Sequence, residues 1–135
     1  MAERITPFLV FEGKAEEAIN FYLSLFPDSR IEALERFGPE GPGAEGSVSR
    51  SVFVLNGQRL RAFDSPVPHA FTFTPSISLF VDCGSGEEID RLFAALSDGG
   101  QVMMEPSEYP FAEKFAWIAD RFGVSWQLIL SERLA

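Results

Sequence analysis

The sequence predicts an α+β fold made of two successive β-α-β-β-β modules whose strands curl around a cleft. Three observations carry that prediction. Two amphipathic helices share one design, each is preceded by one short strand-like segment and followed by three, and EEAINFY in the first helix has an echo in EEIDRLF in the second. The duplication places module 1 at about 4–66 and module 2 at about 74–131, inside a single domain spanning 1–135.

In chain order, ITPFLVF is short, apolar and rich in strand formers, as a first strand requires. The expected helix follows because Ala15, Ala18, Ile19, Tyr22, Leu23 and Phe26 recur with helical spacing and form one apolar stripe. Glu16 and Glu17 suit the positive end of its dipole, and Pro27 stops it. A strand from Ser29 to Phe37 leads into the loop GPEGPGAEGS. SVSRSVFVL and QRLRAFD then flank Asn56-Gly57, the strongest short hairpin signal. The connector SPVPHAFTFTP separates the halves without the composition of a flexible linker, so one closely packed unit is expected. SISLFV opens the second half. Ile89, Leu92, Phe93 and Leu96 form its helical stripe, with Ser85 and Glu88 as a capping box and Gly99-Gly100 as the stop. QVMME, the loop PSEYPFAEK, and the strands FAWIAD and SWQLIL around Arg121-Phe122-Gly123 complete it.

The chain has 135 residues, 46% of them hydrophobic, enough for one continuous core. Twenty acidic against 11 basic residues give a net charge of -9, which repels phosphate backbones and anionic lipids, so no nucleic acid or membrane partner is expected. No apolar run approaches the ~20 residues of a spanning helix. MAERITPF lacks the basic and apolar regions of a signal peptide, so the expected location is cytoplasmic. The one cysteine, Cys83, excludes an internal disulfide and reads as a buried structural thiol.

Strand alternation sorts side chains by face. A two-residue turn at Asn56-Gly57 sets Leu55 opposite Gln58, Phe53 opposite Leu60, Ser51 opposite Ala62 and Ser49 opposite Asp64, all on one face. Val52, Val54 and Phe63 are expected beneath the first helix, with Arg59 and Arg61 snorkelling or at an edge. Ile77, Leu79 and Val81 are assigned to the second helix. The faces turned away from the helices then collect Thr6, Phe8, Ser49, Ser51, Phe53 and Asp64 from module 1. From module 2 they collect Ser76, Ser78, Phe80, Ser125 and Gln127. Small hydroxyls among phenyl rings suit a ligand-binding cleft better than a closed apolar core. A solvated face or a subunit interface is the other reading.

ITPFLVFEGKAEEAINFY, LNGQ, PHAFTF ahead of SISLFV, and DRFGVSWQ together resemble the PhnB-like group of the glyoxalase/bleomycin-resistance superfamily, also called vicinal oxygen chelate. The resemblance implies paired βαβββ modules forming a cupped mixed β-sheet with helices on its outer face, assembled as a homodimer. It also implies, for metal-using members, His, Glu or Gln ligands on the cup face of the first and last strands of each module. Carried onto this chain, those positions hold Thr6 or Pro7, Ala62 or Asp64, Ser76, and Gln127. A transition-metal site needs three or four strong ligands and prefers imidazole, and His69 is the one histidine. The expectation is therefore a small-molecule-binding cleft without a catalytic metal or other cofactor. The alternative is a lyase, isomerase or oxygenase holding a divalent ion through Asp64, Gln127 and water.

Asp64 and His69 are the candidate catalytic groups. Asp64 reads as a general base or as the cap of the turn into Ser65-Pro66, and His69 as a proton shuttle or as an imidazole bonded to the connector. Asp120 reads as an Asx-turn residue, Trp117 and Trp126 as core or cleft wall, and Tyr109 as a loop anchor or hydroxyl donor. The loop 38–46 and PSEYPFAEK are expected as lids. Relatives carry a 3-demethylubiquinone 3-methyltransferase label. The glycine-rich strand-to-helix turn usual for adenosylmethionine is missing, because the glycines of GPEGPGAEGS lead into a strand.

Overall fold

The computed structural model describes residues 1–134. Among them are eight strands and two helices. They are divided between two compact units, Met1–Ala70 and the residues from Phe71 onward. Each unit is one mixed four-stranded sheet with a helix packed on it.

The first unit runs β1 (Phe8–Phe11), α1 (Ala15–Leu25), β2 (Ser29–Arg36), β3 (Val48–Leu55) and β4 (Gln58–Asp64). Its strand order is β1-β4-β3-β2, with β1 parallel to β4 and the other pairs antiparallel. Asn56 (φ 45°) and Gly57 (φ 88°) turn the β3–β4 hairpin, and Phe53 pairs with Leu60 as the two-residue turn demands. Ala15, Ala18, Ile19 and Tyr22 are fully buried on α1. Leu25 is buried beside them although the periodic stripe omitted it.

The second unit runs β5 (Ser78–Asp82), α2 (Gly86–Ser97), β6 (Gln101–Tyr109), β7 (Ala112–Ala119) and β8 (Ser125–Glu132), with strand order β5-β8-β7-β6. Ile89, Leu92 and Leu96 bury completely on α2, and Trp126 and Leu128 bury on β8. The helix stops at Gly99 (φ 75°) and Gly100, where an added Cβ would overlap the Ala119 carbonyl oxygen.

One element differs from expectation. PSEYPFAEK is not a lid loop: β6 continues through Tyr109, and only Pro110 and Phe111 lie outside the strands. Three register shifts along the β6–β7 pair break the alternation that would have announced the strand. Pro106 is tolerated because β6 is an edge strand. The loop 38–47 is closed on itself, with Phe37 donating to the Ser47 carbonyl (2.8 Å) and Gly46 to the Phe37 carbonyl (2.9 Å).

Candidate functional site

On the second sheet four of the five residues expected away from the helix share the helix-free face. Ser78 pairs with Ser125 and Phe80 with Gln127, while Leu79 and Val81 pair with the buried Trp126 and Leu128. Parallel partners share a face, so Ser78, Phe80, Ser125 and Gln127 lie together, away from α2. Trp117, across from Gln127 on β7, joins them. Its indole donates to Ser125 Oγ (2.8 Å), the Ser78 and Ser125 hydroxyls lie 2.7 Å apart, and Gln127 Nε2 donates to Ser78 Oγ (3.1 Å). Ser125 is only 1% exposed. Its proton is therefore best spent on Ser78, which leaves the Ser78 proton and the Gln127 carboxamide oxygen for a ligand. Phe80, half exposed, stands beside this pair. Farther along the same face Phe115 and Ile129 pack with Met104, Tyr109 and Trp117, and Tyr109 stacks on Phe111. Tyr109 donates its hydroxyl to the Glu105 carbonyl at 2.8 Å. Ser76 does not join the face: it lies in the turn before β5, 2.7 Å from the Thr74 hydroxyl.

In the first unit the faces expected for β3 and β4 are exchanged. Thr6 and Phe8 lie on the helix-free face, Thr6 beside Arg61 and Phe8 paired with Arg61, its ring tilted against Phe63 at 5.3 Å between centroids. Ser51, Phe53 and Asp64, assigned to that face, instead lie beneath α1 with Leu60 and Ala62, and none is more than 3% exposed. Ser51 Oγ donates to the Ala62 carbonyl (2.5 Å) and accepts from the Ala62 amide (3.2 Å), so its polarity is spent inside the sheet. Ser49, half-buried, sits at the bulge where β3 slips against β2. The face turned away from α1 carries Val52, Arg59 and Arg61 instead. Burying two guanidiniums beneath a helix would cost far more than burying two hydroxyls and one bonded carboxylate.

Asp64 ties three stretches of backbone together. Oδ1 accepts from the amides of Gly13 (2.7 Å) and Ala15 (3.0 Å), and Oδ2 from the amide of Val48 (2.9 Å). It thereby caps α1, whose N-cap residue Lys14 has no side-chain cap bond. Asp120 is the Asx-turn residue expected, with Oδ1 accepting from Phe122 and Val124 and Oδ2 from the Trp126 indole. His69 Nε2 lies 2.7 Å from Ser65 Oγ in the connector. Cys83 is 8% exposed, and burial first, then the nearby Glu88 charge, pushes its thiol up to about 12. That excludes it as a nucleophile near neutral pH.

A groove of about 470 Å³ opens on the helix-free face of the first sheet, rimmed by Arg4, Arg50, Arg59 and Arg61 with Thr6 and Glu32. Arg59 Nε donates to Glu32 Oε1 (2.9 Å) and Arg30 to Oε2 (3.2 Å). The Arg59 hydrogen bond, before any other cause, holds the Glu32 carboxyl below its ordinary value. No sequence reading singled out this cluster, although the alternation of Arg59 and Arg61 with Leu60 was its signal.

A divalent metal, which the fold class employs in some members, does not fit these residues within either unit. Both Asp64 oxygens are committed to backbone donors, Gln127 offers only a neutral carboxamide oxygen, and among the described residues no three His, Cys, Asp or Glu side chains come together. Likewise, no helix among the described residues is long and apolar enough to cross a membrane.

Two βαβββ units, each with its parallel first and last strands side by side, define the glyoxalase/bleomycin-resistance fold of the vicinal oxygen chelate superfamily. FosX, the fosfomycin resistance protein of Listeria monocytogenes solved with Mn(II), shares that fold at 13% identity and a TM-score of 0.62, over 96% of this chain and 90% of its own. Within the superfamily, the 3-demethylubiquinone-9 3-methyltransferase family matches residues 3–129, and the chain belongs to this PhnB-like family. The PhnB protein of Bacillus cereus is 52% identical with a TM-score of 0.93, over 96% of this chain and 100% of that one. A protein of Pseudomonas aeruginosa is 28% identical with a TM-score of 0.83, over 96% and 98%. No curated protein matches the chain.

Proposed function

We propose that the chain is a cytoplasmic, homodimeric small-molecule-binding protein that needs no catalytic metal, and that its ligand lies on the helix-free face of β5, β7 and β8. The observation supporting this reading is the Ser78–Ser125–Gln127–Trp117 network beside half-exposed Phe80. It combines an aromatic wall with one donor and one acceptor positioned by buried partners, the composition of a small-molecule site. Methyl transfer has no comparable support, since the glycines of the 38–46 loop lead into β3 rather than into a helix. Dimerisation fits the hydrophobic side chains exposed on the edge strand β1 and just before β5, namely Phe8 and Ile77.

A thermal-shift screen of aromatic metabolites bearing hydroxyl or carbonyl groups should yield stabilisers whose effect disappears in Ser78→Ala and Gln127→Ala. No stabiliser, or stabilisation untouched by both substitutions, defeats the reading. Light scattering should give twice the 15.0 kDa chain mass.

A further inference from the structure

We infer that the arginine groove of the first unit is a second binding site, one that takes a small phosphoryl- or carboxylate-bearing anion. It lies on a different sheet from the site proposed above and does not depend on it.

The chain carries 20 acidic residues against 11 basic ones, yet four arginines meet around one groove whose rim has a single carboxylate, Glu32. Surface arginines in an acidic protein ordinarily settle on neighbouring carboxylates, and two of these do so in part. Arg59 bonds Glu32, and Arg50 reaches Glu35 at 3.4 Å with both side chains well exposed. Arg4 and Arg61 have no carboxylate partner among the described residues.

Arg61 is the informative one. It sits in the middle of β4, paired with Val52 on one side and Phe8 on the other, and its Nε is buried without a hydrogen-bond partner. A buried guanidinium donor left unpaired is costly, and few native proteins tolerate it without a reason. An oxyanion is the partner its planar fork fits, because two parallel N–H donors match two oxygens of a carboxylate or phosphoryl group. Arg4 and Arg50 supply further positive charge, and Thr6 adds a hydroxyl to the lining. Val52 and Ala33 give the groove an apolar portion for the carbon skeleton. A volume of about 470 Å³ is that of a metabolite site. The chain's net charge of -9 argues against a polyanion as occupant.

Glu32 makes the inference sharp, since it competes with the anion for Arg59. Titration calorimetry at low, matched ionic strength, with inorganic phosphate in one arm and succinate in the other, tests the site on the full chain. At least one anion should bind, and the tighter of the two identifies the chemistry. Arg61→Gln should weaken it about tenfold or more. Arg4→Gln, in the exposed N-terminal segment where folding is not at stake, should weaken it severalfold. Glu32→Gln should tighten it, which a merely structural role for these charges does not predict. Arg91→Gln, on α2, should change nothing. No binding of either anion at millimolar concentration, or binding indifferent to Arg61→Gln and Arg4→Gln, overturns the inference.

Discussion

The two units repeat one topology but begin their helices in different ways. In the second, Ser85 Oγ accepts from the Glu88 amide (3.1 Å) and Glu88 Oε1 accepts from the Gly84 amide (2.8 Å), so α2 is capped by its own first turn. In the first, α1 borrows Asp64 from the far end of β4, 49 residues beyond Ala15. The helix-free faces diverge in parallel: neutral hydroxyl, amide and indole groups on one, guanidiniums on the other. Duplication thus preserved the backbone plan, while polar side chains were reassigned between holding the fold and facing outward.

The largest expected effect concerns the strand-to-helix junction of the second unit. With the Cys83 thiol raised to about 12 from an ordinary 9.0, its native thiolate fraction at pH 8 falls on the order of a thousandfold. Ellman's reagent should label it rapidly in urea and hardly at all in the native protein, and fast native labelling would show the junction to be open. Because the folded value is raised, the thiol's contribution to stability is complete below pH 9 and fades as pH rises toward 12. Next comes Asp64→Ala, which strands three backbone donors and should cost about 3 kcal/mol in urea denaturation. A loss no larger than that of an exposed carboxylate would erase the contrast between the capping modes. Ser125→Ala, which removes the acceptor of the Trp117 indole, should cost about 1–2 kcal/mol and alter Trp117 fluorescence. Ser85→Ala should cost about 1 kcal/mol, the ordinary loss of a local cap. Smallest of all, Glu35→Gln should change stability by less than about 0.5 kcal/mol, since its pair with Arg50 is solvent-exposed.

The fold was legible because its signals are local. Asn56-Gly57 set the β3–β4 register, the stripes set both helices, and the Ser85–Glu88 box set the start of α2. The second site face was legible because apolar Trp126 and Leu128 alternate cleanly with Ser125 and Gln127. The first was not, since hydroxyls and an aspartate share a face there with Phe53, and polarity alone directs them outward. What decided the matter was non-local. Ser51 and Asp64 find backbone partners in the interior, whereas Arg59 and Arg61 would find none beneath α1. Weighing the cost of burying two guanidiniums against that of two hydroxyls and a carboxylate would have reversed the assignment.

The carboxylate of Asp64 also bears on the order in which the chain folds. α2 carries everything its first turn needs within five residues and can nucleate as soon as they are made. α1 cannot be capped until residue 64 exists and the β3–β4 hairpin has brought it back to Gly13 and Val48. On a ribosome the first helix would emerge early and wait for the last strand of its own unit, while the second would form ahead of its sheet. Two near-copies of one topology would then reach it by opposite routes, helix after hairpin in one and helix before hairpin in the other, and φ-values at Ala18 and Leu92 would separate them.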